Sequence, residues 1–159
     1  MVTKLLFVCL GNICRSPSAE NIMNHLIEER QLSHTIVCDS AGTSSYHIGS
    51  APDRRMALAA QKMLGIALEG KARQFQAQDF ERFDLILAMD RENQRDILSH
   101  DLSNQYRSKV RLICDFCRHH PDQEVPDPYY GGAEGFQYVI RLLTDACEGL
   151  LEDILIQTD

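Results

Sequence analysis

The chain has 159 residues, 44% of them hydrophobic, enough to bury a sizeable core in one domain spanning 1–159 and too apolar for disorder. A formal net charge of −7, with no basic arm or stripe, argues against a nucleic-acid partner, and no apolar run is long enough to span a membrane. Six cysteines without an export signal read as reduced thiols of a cytoplasmic protein, because a chain of this size needs no disulfide framework. The apolar run Lys4 to Leu10 is too short for a secretory segment and is broken by Gly11-Asn12.

In chain order, Lys4-Leu5-Leu6-Phe7-Val8 has the length and composition of a buried strand. Ser16 is the expected N-cap of the helix that follows and Pro17 its first residue, with Ala19, Ile22, Met23, Leu26 and Ile27 on one apolar face. Thr35 to Cys38 reads as a second strand. Met56, Ala59, Ala60, Met63 and Leu64 form a helical face after Ser50 and Pro52. Leu85 to Ala88 reads as a strand, Asp90 as the cap of a short helix running toward Leu98, and Val110 to Ile113 as a further strand. Phe136, Val139, Ile140, Leu143, Cys147, Leu150, Leu151 and Ile154 make the stripe of a long C-terminal helix. Strands alternating with helices predict a parallel, doubly wound sheet with ligands beyond the carboxyl ends of its strands.

Cys9 lies at such an end, in Cys9-Leu10-Gly11-Asn12-Ile13-Cys14-Arg15-Ser16-Pro17. A loop entering a helix aims backbone N–H groups and the helix dipole at an anion, and the same field favours the nucleophilic, anionic form of Cys9. Gly11 permits a tight turn and Asn12 tolerates left-handed backbone angles. Arg15 can grip two oxygens of a phosphoryl group. A core cysteine beside a surface cation is the plain alternative for Cys-x5-Arg alone. The strand before it and the Ser-Pro helix start after it favour the phosphate cradle.

Cys9 to Pro17 resembles the signature loop of the low-molecular-weight protein tyrosine phosphatases. Asp39-Ser40-Ala41-Gly42-Thr43, Lys71-Ala72-Arg73-Gln74, Phe83 to Asp90 and Asp127-Pro128-Tyr129-Tyr130 resemble further landmarks of that family, in its order, over nearly the whole chain. The resemblance implies a four-stranded parallel twisted sheet flanked by helices, phosphatase I-like with flavodoxin-like layering. It also implies a two-step hydrolysis of phosphotyrosine through a phosphocysteine on Cys9, without metal or cofactor. Substrate-binding positions would be Leu10, Gly11, Asn12, Ile13, Cys14 and Ser16 of the loop, with Tyr46, Tyr129 and Tyr130 as pocket walls. Ser16 would hydrogen-bond the Cys9 sulfur, and Asn12 and Ser40 would brace the turn. Gly70 departs from the family, several of whose members carry a histidine there.

The leaving group needs a proton, and Asp127 sits between two prolines beside adjacent aromatics, an acid on a shaped, partly apolar rim. An ordinary turn aspartate is the alternative; the resemblance makes Asp127 the general acid and then the base. Ile13 is apolar where relatives resembling protein arginine phosphatases carry threonine, which favours phosphotyrosine. Cys14 could form a disulfide with Cys9 under oxidants, with a thiol reductant as partner, a regulation that the family supports. Arg54, Arg55, Lys71 and Arg73 are candidates to steer acidic peptides. Phosphotyrosine proteins are the expected partners and a monomer the expected state.

Cys114-Asp115-Phe116-Cys117, with His119 and His120, invites a metal or redox reading. Structural zinc sites set ligand pairs on separate elements, so a strand-end thiol with solvated neighbours is the expectation. A thioredoxin-coupled arsenate reductase would need a downstream cysteine pair, and Ala41 to Ile113 contains no cysteine. A phosphate-binding module without turnover would not need Cys9, Arg15 and Asp127 together.

Overall fold

Leu5, Leu6, Phe7 and Val8 are wholly buried, which requires cover on both faces of the strand they form. That strand, β1 (Thr3–Cys9), pairs in parallel with β2 (Ile36–Gly42) on one side and β3 (Leu85–Ala88) on the other. β4 (Val110–Leu112) joins β3, so the sheet order is β2-β1-β3-β4 with every pairing parallel. The computed structural model describes residues 1–129 and 131–158, Thr158 by its backbone alone.

Side chains alternate across β1 with the period of two that a strand imposes. Leu5, Phe7 and Cys9 face the larger core with α1 (Arg15–Glu29), α2 (Arg54–Leu64) and the 26-residue α5 (Ala133–Thr158). Leu6 and Val8 face the smaller core, which holds Phe80 of α3 (Asp79–Arg82) and Ile97 of α4 (Arg91–Leu98). Each of these fully buried strand side chains contributes about 1.5–3 kcal/mol. All eight residues of the expected C-terminal stripe are buried in the larger core.

The chain leaves β1 toward β2 on one side and reaches β3 on the other. The sheet therefore reverses its winding between β1 and β3, and a crevice opens beyond their carboxyl ends. Cys9 ends β1, and Asp90 stands two residues past the end of β3. Topology alone brings those two segments together.

Three local expectations change. α1 begins at Arg15 after Cys14, with no side-chain cap, and Ser16 is the second helical residue, past the capping position, with its hydroxyl against Cys9. Pro17 is the third helical residue, still within the first turn, where a missing N–H costs no intrahelical bond. β2 runs on through Asp39 and Ser40 to Gly42, polar positions that break the apolar pattern because their side chains serve the site. β4 ends at Leu112, and Ile113–Phe116 form a 3-10 turn, so Cys114 lies in that turn rather than on the strand. α2 is capped by Asp53, whose carboxylate accepts from the amides of Arg55 and Met56. Asp90 caps α4 as expected, accepting from Asn93 N at 2.7 Å.

α5 is fastened to the turn after β4 from two directions. A Cβ on Gly149 would run into the Phe116 carbonyl oxygen, a backbone contact that cannot yield, so only glycine fits. The Asp145 carboxylate accepts from the amides of Arg118, His119 and His120 at 2.9–3.0 Å and pairs with His120 Nδ1 at 2.7 Å. Burial pushes the Asp145 pKa up, but these donors outweigh it and bring the value down to about 2. A carboxyl depressed in the folded state adds stability above its ordinary range, which is lost as pH falls toward the folded value. Asp145→Asn is expected to lower stability at neutral pH by about 1–3 kcal/mol, and the difference from the parent should shrink as thermal unfolding is measured from pH 4 down toward 2.

Candidate active site

The loop between β1 and α1 folds around the Cys9 sulfur. Asn12 N donates to Cys9 Sγ at 3.3 Å, and Ser16 Oγ lies 3.0 Å from it. Asn12 Nδ2 donates to Ser16 Oγ at 2.8 Å, which leaves the serine proton for the sulfur or for the Ala41 carbonyl at 3.4 Å. When Cys9 is anionic, Ser16 donates to it. The expected contact between Ser16 and the Cys9 sulfur is present.

Asn12, and not Gly11, takes the left-handed backbone, with φ of 57°. Its side chain holds that conformation from three sides: Nδ2 donates to Ser16 Oγ and, at 3.0 Å, to Ser40 Oγ, while Oδ1 accepts from Arg73 N at 3.0 Å. Ser40 donates onward to Glu20 Oε1 at 2.6 Å, so the bracing role expected of Ser40 passes into a carboxyl that the sequence did not single out. Burial, and then the nearby Asp39, raise the Glu20 pKa despite the Ser40 hydrogen bond. Gly70 lines a cavity of about 50 Å³ beside Asn12, Glu20 and Ser40. Gly42 is needed where β2 passes the loop: a Cβ there would lie 2.8 Å from Leu10 O and 3.1 Å from Asn12 N.

Arg15 is buried. Its Nη1 donates to Asp90 Oδ2 at 2.6 Å and to Val125 O at 3.1 Å, and its Nη2 lies 3.6 Å from Asp127 Oδ2. Burial alone would lower the Arg15 pKa, but Cys9, Asp90 and Asp127 more than offset it and hold the guanidinium charged. Asp90 therefore caps α4 with one oxygen and holds Arg15 with the other, a second task invisible in the sequence. Val125 N donates to Met89 O at 2.8 Å, so the segment carrying Asp127 is pinned to the end of β3. Asp127 Oδ1 accepts from Tyr129 N at 3.1 Å, which turns Oδ2 toward Arg15.

These groups surround one pocket of about 370 Å³, lined by Cys9, Leu10, Gly11, Ile13, Cys14, Arg15, Ser44, Tyr46, His47, Asp127 and Tyr129. Asn12 and Ser16 lie behind this surface and support it. Tyr130 falls outside the described residues. Ser44 and His47 are wall residues that sequence reasoning missed; their nearness to Tyr46 was the available signal. Tyr46 is 84% exposed and forms a rim. Burial first, then the charges of Asp53, Cys9 and Asp127, push the Cys14 thiol up to about 12, so it keeps its proton at neutral pH.

Two of the four candidate steering cations are committed elsewhere. Arg73 pairs with Asp39 at 3.0 Å and with the fully buried Asp79 at 3.0 Å. Arg55 pairs with Asp53 and lies over the Tyr129 and Phe136 rings. Arg54 and Lys71 are exposed.

Because the loop's unusual backbone depends on the Asn12 side chain, Asn12→Ala is expected to lower turnover of an aryl phosphate about 10–100-fold through misplacement of the amides and Arg15, with a smaller change in KM. Steady-state kinetics would check this, and an unchanged kcat would remove Asn12 from the positioning role.

The model of the family described as low molecular weight phosphotyrosine protein phosphatase matches residues 4–158. A Synechocystis protein whose name assigns it to the low molecular weight protein-tyrosine-phosphatases is 60% identical over 151 residues, 95% of this chain and 96% of that one. The crystal structure of a protein tyrosine phosphatase from Entamoeba histolytica with Hepes in the active site superposes with a TM-score of 0.94 at 44% identity, covering 99% of each chain. A Drosophila arginine phosphatase superposes with a TM-score of 0.87 at 34% identity, covering 96% of this chain and 98% of that one. With a match over this length, joined to a thiol, a guanidinium and a carboxyl around one pocket, the chain belongs to the low molecular weight phosphotyrosine protein phosphatase family of hydrolases.

Proposed function

We propose that the protein hydrolyses phosphotyrosine and small aryl phosphate monoesters through a phosphocysteine on Cys9. The observation that carries this is the Cys9 sulfur, held by the Asn12 amide and the Ser16 hydroxyl in the pocket that Arg15 and Asp127 share. The thiolate attacks phosphorus in line with the departing phenoxide. Arg15 and the loop amides take the charge on the equatorial oxygens, and Asp127 Oδ2 gives its proton to the leaving oxygen. Asp127 then accepts a proton from water, which attacks the phosphocysteine, and Ser16 stabilises Cys9 as it leaves as thiolate. The Hepes in the Entamoeba enzyme lends support, since a sulfonate carries three oxygens arranged as in a phosphoryl group.

No metal or cofactor has a role in these steps. A protonated Cys14 beside Cys9 suits the redox reading: a sulfenic acid on Cys9 would condense with that thiol to a disulfide, releasing water, and a thiol reductant would restore the enzyme. Phosphotyrosine proteins as substrates, one domain over 1–159, a cytoplasmic location and a monomeric state complete the proposal.

Cys9→Ser is expected to abolish aryl phosphate hydrolysis in the presence of chelator, while Asp127→Ala should lower kcat about 100-fold or more for poor leaving groups and less for activated ones. Equal losses for both kinds of leaving group would remove Asp127 as the acid. The likeness to an arginine phosphatase sets the alternative substrate. With Ile13, Tyr46 and Tyr129 as apolar walls, a competition assay should give phosphotyrosine the higher kcat/KM over phosphoarginine, and the reverse order would overturn the substrate assignment.

A further inference from the structure

Cys114 and Cys117 stand apart from the pocket just described, and neither lines it. They occupy the first turn after β4, where Cys117 N donates to Cys114 O at 3.1 Å. A 3-10 turn eclipses side chains three positions apart, so both sulfurs emerge on one side. The Cys117 thiol faces the Leu142 carbonyl on α5 at 4.0 Å. Cys114 is 6% exposed while Cys117 is half-buried.

The turn cannot drift from this arrangement. Gly149 admits the Phe116 carbonyl against α5, and the Asp145 carboxylate holds the next three amides. Interaction with the Cys114 thiol lowers the Cys117 pKa despite burial and the nearby Asp145 and Asp122, while the same interaction and then burial keep the proton on Cys114. One partner is thus disposed to be the nucleophile and the other the proton-bearing resolver.

We propose that Cys114 and Cys117 form a redox-active dithiol, separate from Cys9, that a hydroperoxide closes to a disulfide and a low-molecular-weight dithiol reopens. Cys117 thiolate attacks a peroxide oxygen, the O–O bond breaks, and the departing hydroxide takes a proton from solvent to leave as water, with Cys117 as sulfenic acid. The Cys114 sulfur then attacks the Cys117 sulfur; the S–O bond breaks, and the leaving hydroxide takes the Cys114 proton as a second water. Two thiols lose two electrons and one hydrogen peroxide gains them. The hydrogen bond from Cys117 N to Cys114 O already closes the turn that carries both residues, so the bridge would join neighbours on one turn.

Trypsin cuts after Arg111 and Arg118 and releases residues 112–118, a peptide with these two cysteines and no others. The full chain is treated with hydrogen peroxide, alkylated under denaturing conditions, digested and weighed by mass spectrometry. The expected result is that the unalkylated peptide, lighter than its dithiol form by two hydrogens, rises roughly tenfold over the untreated sample and disappears with dithiothreitol. In Cys114→Ser, a sulfenic-acid trap should label Cys117, and aryl phosphate hydrolysis by the reduced variant should match the parent. Recovery of the parent peptide fully alkylated after peroxide, with sulfinic acids, or cross-linked to another cysteine-containing peptide would overturn the proposal. The peptide readout is independent of phosphatase activity, so failure of either assignment is seen separately.

Discussion

The site rests on a left-handed residue that is not glycine. Asn12 holds φ at 57° because its amide group is saturated by Ser16, Ser40 and the Arg73 backbone, which come from α1, β2 and the segment before α3. An asparagine tolerates this region better than most residues, and here buried hydrogen bonds offset the residual cost. The conformation turns the Asn12 N–H onto the Cys9 sulfur, so a backbone constraint becomes an electrostatic one. Around it the charges are layered. Arg15 is placed by Asp90 and Val125, and Arg73 by Asp39 and Asp79. A buried guanidinium held by carboxylates is costly to isolate, which keeps each of these segments in register with the next.

The residues proposed to carry the chemistry were legible as candidates because they lie close together in the chain or beside strong punctuation. Cys9, Arg15 and Ser16 share one loop, and Asp127 is fenced by prolines. Short apolar runs marked the four strands, β2 only in its first half, and helical periodicity marked the α5 stripe. What escaped notice depends on partners distant in sequence. Asp90 carries the signature of a helix cap, and nothing local shows its second oxygen meeting Arg15. Glu20 sits among the residues of an amphipathic helix, yet it accepts a hydrogen bond from Ser40 on another element. Arg73 has the look of a surface cation until the wholly buried Asp79 is set against it. Ser16 misled because the helix starts one residue earlier than the Ser-Pro signal implies: Ser16 is already the second helical residue, past the capping position, and its hydroxyl lies against the sulfur.

The connection between the two ends of the α/β layering is also charged. Asp145 gathers three consecutive amides onto α5, and Tyr138 from the same helix donates to Asp122 at 2.6–2.7 Å. The chain between the turn at Cys114 and the acid at Asp127 is thus tethered at both ends, by α5 first and by Met89 and Arg15 last. The loop that brings the Asp127 carboxyl beside Arg15 takes its stiffness from hydrogen bonds at its roots, with prolines only at its tip.

The central position of β1 has a kinetic consequence. Arg15 meets partners 75 and 110 positions along the chain, so the pocket cannot exist in any intermediate that lacks β3 or the segment after β4. A strand flanked by parallel neighbours on both sides closes long loops before those contacts repay the entropy, which makes assembly of this sheet slow relative to helix formation. Recovery of catalysis during refolding should then trail recovery of helical signal, and catalysis becomes a report on the last long-range contacts to form.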